Sequence, residues 1–135
     1  RSGKLQISSG LKISYVPQTA EALRGTLSDY AAQYGVDETL LRAILNKMDF
    51  TKKDLGGELS ACSEGQKRKV TLARSLCERA HLYLWDEPLN YIDVYSRMQI
   101  ENLIKAFCPT MLFVEHDLSF RKTVATKTVT VTKIQ

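Results

Sequence analysis

The chain has 135 residues, of which 44% are hydrophobic and 25% are charged, values typical of a globular domain with a core of its own. No apolar run approaches the roughly 20 residues that a membrane-spanning helix needs, and no signal-peptide pattern is present, so membrane insertion and secretion are not expected. The net charge of +4 permits a nucleic-acid partner but does not indicate one.

The three cysteines are widely spaced and odd in number: Cys62, Cys77 and Cys108. They fit neither a disulfide framework nor a zinc site, so we expect reduced thiols and a cytoplasmic location. The chain begins at Arg1 without an initiator methionine, and we expect it to be a piece of a longer protein.

The first part of the chain predicts two β-strands. Residues 4–8 alternate between polar and apolar side chains, and a second run extends from Leu11 to Val16. Pro17 ends the second strand, and Gln18 follows at its carboxyl end.

From Thr19 to Leu59 the apolar residues recur at helical spacing. One helix is predicted over Thr26–Tyr34, and a second helix is predicted to be capped by Asp37. The second helix carries an apolar stripe that we interpret as core packing: Leu40, Leu41, Ile44, Leu45 and Met48. The chain is therefore expected to divide into a helical subdomain over about residues 19–66 and a core over about 67–135.

A longer helix is predicted after Ser63, because Ser63 and Gln66 have the S-x-x-Q pattern of a capping box. Its start would offer free N–H groups and a positive dipole end to a phosphate, and Gly65 would let a ligand approach closely. Its apolar face is predicted to hold Val70, Ala73, Leu76 and Cys77, with Lys67, Arg68, Arg74 and Glu78 largely off that face. The alternative is an ordinary capped helix with a solvated basic face.

The run Leu82–Trp85 is apolar throughout and ends in Asp86, Glu87 and Pro88. It is too short for a buried helix and does not alternate, which predicts a strand covered on both faces of a parallel sheet. Ligands of such sheets bind beyond the carboxyl ends of the strands. There Asp86 can hold Mg²⁺ directly or through water, and Glu87 can orient or deprotonate an attacking water. A solvated turn is the alternative.

The last part of the chain predicts a helix, a strand and a second helix. The first helix spans Tyr95–Phe107, and its predicted buried residues are Met98, Ile100, Leu103, Ile104 and Phe107. Thr110–Val114 is the apolar strand, and Asp117 caps a short helix that reaches Ala125. Residues 126–132 alternate as a final strand.

His116 follows the strand Thr110–Val114. Because the carboxyl ends of parallel strands share one edge of a sheet, we expect His116 beside Gln18, Asp86 and Glu87.

The order of these features resembles the ATP-binding cassette (ABC) ATPases over nearly the whole chain. Gln18 is similar to the Q-loop glutamine, and His116 is similar to the switch histidine. The segment Ser63–Gln66 is similar to the signature motif, and the segment Leu89–Asp93 is similar to the D-loop. Asp86 and Glu87 are similar to the Walker B pair. The resemblance implies the C-terminal part of a P-loop (RecA-like) domain, an α/β fold with a largely parallel sheet flanked by helices and an inserted helical subdomain.

The resemblance also implies a site for ATP and Mg²⁺. Glu87 and His116 would be catalytic, and Asp86 and Gln18 would hold Mg²⁺ through water. The nucleotide-binding residues would be Gln18, Ser63, Glu64, Gly65, Gln66 and Asp93, with Ser63 and Gly65 reaching a nucleotide held mainly by a second cassette.

Two departures from the family pattern stand out. Glu64 replaces a usual glycine of the signature, and we hypothesise that its carboxylate weakens closure on the nucleotide. No G-x-x-x-x-G-K-[S/T] loop occurs in the sequence, so the isolated chain is predicted neither to bind ATP tightly nor to hydrolyse it. A sheet without its further strands also predicts self-association of the isolated chain.

Within the family, the segments Trp85–Asp93 and Val114–Phe120 are similar to the ABC-F subgroup, and residues 75–90 to the second cassette of Lsa/Vga/Msr-type antibiotic-resistance proteins. That similarity implies a factor that acts on the ribosome, in contact with rRNA and tRNA. The ATP-binding subunit of a membrane transporter and a non-catalytic dimerisation module are the alternatives. The basic residues 67–69 are interpreted as a solvated helix face rather than an RNA contact.

Overall fold

The computed structural model describes residues 10–19 and 22–129. Three parallel strands form one sheet in the order β1, β2, β3, with bounds β1 Ile13–Val16, β2 Leu82–Asp86 and β3 Met111–Val114. Parallel neighbours need long crossover connections, and helices supply them here. The predicted strand over residues 4–8 lies outside the described residues. Residues 126–129 of the predicted final strand form no strand, and the rest of it is not described.

Six α-helices lie within the described part of the chain: α1 Leu27–Tyr34, α2 Glu38–Lys47, α3 Lys52–Leu55, α4 Glu64–Cys77, α5 Val94–Phe107 and α6 Leu118–Val124. A 3₁₀ turn over Leu59–Ala61 precedes α4. None of these helices is long and apolar enough to cross a membrane.

The helix boundaries follow from capping chemistry. Thr26 accepts a hydrogen bond from the Asp29 backbone N–H, and the Asp29 side chain accepts one from the Thr26 backbone in return. Gly35 ends α1 in the left-handed region at φ 64°, which glycine adopts at little cost. Asp37 caps α2 and Asp117 caps α6, as the sequence predicts.

One face of the sheet packs against the helices, and the other face is open within the described structure. The Trp85 indole donates to the Ser75 hydroxyl of α4 at 2.8 Å, and Phe113 packs edge-on against Phe120 of α6. On the opposite face, Leu112 is 64% exposed and Val114 is 55% exposed. In the predicted strand Leu82–Trp85, Trp85 is buried but Leu84 on the open face is only partly buried, so the prediction that this strand is covered on both faces is wrong for one face. Self-association of the isolated chain stays a prediction.

The predicted apolar stripes of α2 and α5 are too wide. Leu40, Met98 and Phe107 are exposed, while Leu41 and Ile100 on the same two helices are fully buried. The first three residues lie at the borders of their stripes, where the neighbouring helix no longer covers the surface.

Helix α4 is buried on nearly all sides, because it lies between the sheet and the helices before it. Arg68, Arg74 and Glu78, which the sequence places largely off the apolar face of α4, are only 1%, 3% and 9% exposed. Charged side chains are buried when they are paired: Arg74 pairs with Glu78 four residues on, and the other partners come from distant parts of the chain.

A buried polar network connects α1 to the sheet through α4. The Arg74 guanidinium pairs with the Glu78 carboxylate and also donates to the Tyr30 hydroxyl of α1 at 3.2 Å. The same Glu78 carboxylate accepts from the Ser14 hydroxyl of β1 at 2.8 Å. The network therefore sets how the helical region sits on the strands.

Cys62, Cys77 and Cys108 are free thiols, as expected. Burial raises the pKa of Cys77 to about 12, so this thiol stays protonated and unreactive at neutral pH.

Candidate functional site

The carboxyl ends of the three strands bring Gln18, Glu87 and His116 together. The Gln18 Nε2 donates to Glu87 Oε2 at 2.8 Å, and the His116 Nε2 lies 2.9 Å from Glu87 Oε1. Each oxygen of the Glu87 carboxylate thus has its own partner, one from the end of β1 and one from the end of β3. The sequence expectation that these residues share one sheet edge is met in the structure.

Glu87 lies in a partly buried position at the turn after β2. Its side chain is 19% exposed, whereas the His116 side chain is 84% exposed. The Glu87 backbone N–H donates to the Val114 carbonyl at 2.7 Å, which extends the β2–β3 pairing by one residue. A carboxylate fixed in this way can orient a water molecule and accept its proton.

Asp86 is the last residue of β2 and pairs in register with Val114. Within the described residues, no group of three or more His, Cys, Asp and Glu side chains is arranged as a metal cage. Mg²⁺ does not require such a cage, because it keeps several waters and takes one or two carboxylates together with phosphate oxygens. The half-buried Asp86 carboxylate and the amide oxygen of Gln18, which follows the adjacent strand β1, are hard oxygen donors of this kind.

Glu115 organises the turn after β3, a role that the sequence does not indicate. Its Oε1 accepts from the backbone N–H groups of His116 and Asp117 at 3.0 and 3.3 Å. Its Oε2 accepts from the Leu89 N–H at 3.2 Å. Glu115 therefore links the turns that carry Glu87 and His116. A single acid between a strand and a histidine carries no sequence signal that would single it out.

The N-terminus of α4 has the predicted capping box. The Ser63 hydroxyl accepts from the Gln66 N–H at 3.1 Å, and the Gln66 side chain accepts from the Ser63 N–H at 3.0 Å. These bonds occupy two of the free donors, and they leave the Ser63 hydroxyl proton and the first-turn N–H groups for an anion. The Glu64 side chain is 60% exposed and lies 3.7 Å from the Lys67 ammonium.

Lys69 and Asp93 connect α4 to the segment that precedes α5. The Lys69 ammonium lies 2.8 Å from the Asp93 carboxylate and also donates to the Met48 carbonyl. Burial acts to raise the pKa of Asp93, but hydrogen bonds from Lys69 and Ser96 outweigh it and lower the pKa to about 2. The ion pair therefore adds stability above the ordinary carboxyl pKa of 3.8 and loses it as the pH falls towards 2.

The basic residues 67–69 do not form the solvated face that the sequence suggested. Arg68 is 1% exposed, and the Lys69 side chain is 12% exposed and held by Asp93. Neither side chain is free to contact RNA, because its donors are engaged inside the molecule.

A protein-family model described as ABC transporter matches residues 4–90, well over half of the chain. The chain belongs to the ABC transporter family. The ATP-binding protein Uup of Caulobacter vibrioides is 33% identical over 119 residues, which cover 88% of this chain and 19% of that protein. The prediction of an ABC ATP-binding domain from the order of its motifs is therefore confirmed.

Solved structures of ABC proteins have the same fold. An archaeal ribosome recycling factor, aABCE1, in complex with the ribosomal stalk protein aP1 has a TM-score of 0.69 at 28% identity, over 91% of this chain and 25% of that chain. The ATP-binding subunit of an ABC transporter has a TM-score of 0.70 at 22% identity, over 84% of this chain and 52% of that chain. The predicted α/β fold class is confirmed. The chain spans 19% to 27% of the length of four curated relatives.

In this ABC domain, the start of α4, which resembles the signature motif, packs against residues 89–93, the segment that resembles the D-loop. A Cβ atom on Gly65 would lie 2.8 Å from the Tyr91 carbonyl oxygen, closer than such atoms approach. The absence of a side chain at Gly65 therefore serves contact between α4 and the D-loop. Room for the close approach of a ligand, which the sequence predicts at the same glycine, stays a prediction.

The Gly65→Ala substitution is expected to lower the free energy of unfolding by about 1–2 kcal/mol, because the new methyl group must displace the D-loop backbone. Urea unfolding of the two chains measures the difference. Gly57→Ala is the matched control, since its Cβ would meet the nearest backbone oxygen at an ordinary 3.6 Å. A Gly65→Ala chain at least as stable as the wild type would contradict the packing role.

Proposed function

We propose that these residues form the C-terminal part of an ATP-hydrolysing ABC cassette in which Glu87 orients and polarises the attacking water. The observation that carries the proposal is the double support of the Glu87 carboxylate by Gln18 at 2.8 Å and His116 at 2.9 Å. A water molecule needs a base held in one orientation, and these two contacts hold both carboxylate oxygens.

The other predicted site residues have matching roles in this proposal. Asp86 and Gln18 would hold Mg²⁺ through its water shell, and the ion would supply charge stabilisation for the phosphate oxygens. His116 is 84% exposed on its side chain, so it can reach a γ-phosphate as well as Glu87. Gln18 donates to Glu87 and would also contact the waters of the ion, a position suited to sensing whether the ion is present.

The signature residues would act on a nucleotide bound by a second cassette. Ser63, Glu64, Gly65 and Gln66 lie at the exposed start of α4, where hydroxyl and backbone donors favour phosphate. Asp93 belongs to the adjoining D-loop and is expected at the same cassette–cassette contact. The proposal therefore includes a helical subdomain over about residues 19–66, a core over about 67–135 and a second cassette as partner.

We further propose that the parent protein is a cytoplasmic ABC-F factor that acts on the ribosome, with antibiotic resistance as one form of that activity. The sequences of residues 85–93 and 114–120 are similar to those of the ABC-F subgroup and support this assignment. The structural likeness to an archaeal ribosome recycling factor supports it as well. The parent protein is expected to co-sediment with ribosomes in the presence of ATP. A transporter subunit is not expected to do so, and this difference separates the two functions.

The isolated 135-residue chain is expected to show no Mg²⁺-dependent ATP hydrolysis, because its sequence contains no P-loop to hold the phosphates. The same residues joined to a P-loop segment, here termed the complete cassette, are expected to hydrolyse ATP. Phosphate release from both proteins, with and without Mg²⁺, is the measurement. Turnover by the isolated chain would refute the need for a P-loop, and an inactive complete cassette would refute the proposed function.

A further inference from the structure

Arg68 lies one turn into α4 and is 1% exposed. Its guanidinium donates hydrogen bonds to four backbone carbonyl groups. Nη2 donates to Asp86 at 3.1 Å and to Glu87 at 2.7 Å, Nε donates to Pro88 at 3.3 Å, and Nη1 donates to Pro17. Five donors in one rigid plane suit a guanidinium to this task, and an ammonium group has no equivalent geometry.

The four carbonyl groups belong to the two segments that carry Gln18 and Glu87. Pro17 immediately precedes Gln18 at the end of β1, and Asp86 to Pro88 surround Glu87 at the end of β2. These segments are 51 and 18 to 20 residues away from Arg68 in the sequence. One side chain therefore fixes the separation of the two strand ends.

The backbone at Glu87 needs such support. Its φ is +45°, in the left-handed region that is unfavourable for a residue with a side chain. Such a conformation persists only where the surroundings hold it. The Arg68 Nη2 group bonds the carbonyl on each side of the Glu87 α-carbon, and this holds the turn in its shape.

We infer that Arg68 is a positioning residue for Glu87 and Gln18. It connects the turns that carry these two residues to the N-terminal end of α4. Gly65 and Lys69 lie on the same side of the helix, where they contact Tyr91 and Asp93 of the D-loop. Movement of α4 at its start is thereby transmitted to the Glu87 carboxylate. The consequence for catalysis rests on the proposed function.

The first test uses amide hydrogen exchange in the 135-residue chain. In Arg68→Met, exchange of the Glu87 N–H is expected to rise about tenfold or more relative to the Tyr83 N–H. Tyr83 lies at the other end of β2 and donates to Thr110, so it reports on general loss of stability. Lys67→Met is the matched control, because Lys67 lies one position earlier on α4 and pairs with Glu64.

The second test measures kinetics in the complete cassette. Arg68→Met is expected to lower kcat by about 10- to 100-fold with the KM for ATP changed less than about threefold, since a misplaced base affects the chemical step. Arg68→Lys is expected to give an intermediate kcat. In a Glu87→Gln background, Arg68→Met should change kcat by less than about twofold, because Arg68 acts through Glu87.

The outcomes separate the positioning role from a general structural role. Equal rises in exchange at Glu87 and Tyr83, or a kcat loss that is fully additive with Glu87→Gln, would overturn the inference. If Arg68→Met does not fold, Arg68→Lys provides the same two comparisons. A complete cassette without ATPase activity would refute the proposed function alone, and the exchange result would still decide the positioning role.

Discussion

Replacing Glu87 by Gln in the complete cassette is expected to lower kcat for ATP hydrolysis by about 100- to 10,000-fold, the contribution typical of a general base. The change preserves size but removes the charge and one acceptor. The wild-type carboxylate lies between Gln18 and His116, which contact one oxygen each. An amide has only one oxygen, so one of the two contacts must be lost or reversed.

Steady-state measurement of kcat and of the KM for ATP tests this prediction. The KM is expected to change little, because the nucleotide is held mainly by the P-loop and the second cassette. Glu101→Gln on α5 is a suitable control, since it removes a partly buried carboxylate outside the sheet edge. A Glu87→Gln cassette with more than about a tenth of wild-type kcat would contradict the assignment of Glu87 as base.

Arg74→Ala is expected to lower the free energy of unfolding by about 3–5 kcal/mol, because it leaves the buried Glu78 carboxylate without its ion partner. The two side chains are 4% and 9% exposed. Burial acts to lower the pKa of Arg74, but Tyr30 and Glu78 outweigh it and hold the pKa above its ordinary value. The substitution also removes the cation–π contact with the Tyr34 ring at 4.4 Å.

The chain contains a matched control for this prediction. Glu38 and Arg42 form an ion pair at the same four-residue spacing, but their side chains are 38% and 37% exposed. Arg42→Ala is therefore expected to cost less than about 1 kcal/mol. Urea unfolding of both variants gives the comparison. Equal effects of the two substitutions would show that burial does not strengthen the Arg74 contacts.

Several features of the fold follow from local sequence. The caps at Thr26, Asp37, Ser63 and Asp117 each start a helix, since a side-chain oxygen at that position satisfies N–H groups within three residues. The strand preceding Asp86 was predicted for a similarly local reason, namely a short apolar run ended by carboxylates and a proline.

Apart from the Arg74–Glu78 pair, the partners of the buried arginines of α4 did not follow from local sequence. Periodicity places Arg68 and Arg74 outside the apolar stripe and so predicts solvent exposure. The structure buries both, and their donors bond carbonyl and hydroxyl groups from β1, from the turns after β1 and β2, and from α1. Their positions relative to α4 depend on how the whole sheet packs, and this information is not local.

The sequence by itself determined the order of the motifs, and this order identified the ABC family and placed Gln18, Glu87 and His116 at strand ends. Only the tertiary structure decided that one carboxylate is held by both neighbours, that Gly65 makes room for a carbonyl group, and that Arg68 joins two strand ends. The physical reason is the distance along the sequence between the residues that interact. Caps and strand ends depend on neighbouring residues, whereas hydrogen bonds between segments 18 to 69 residues apart require the packed sheet.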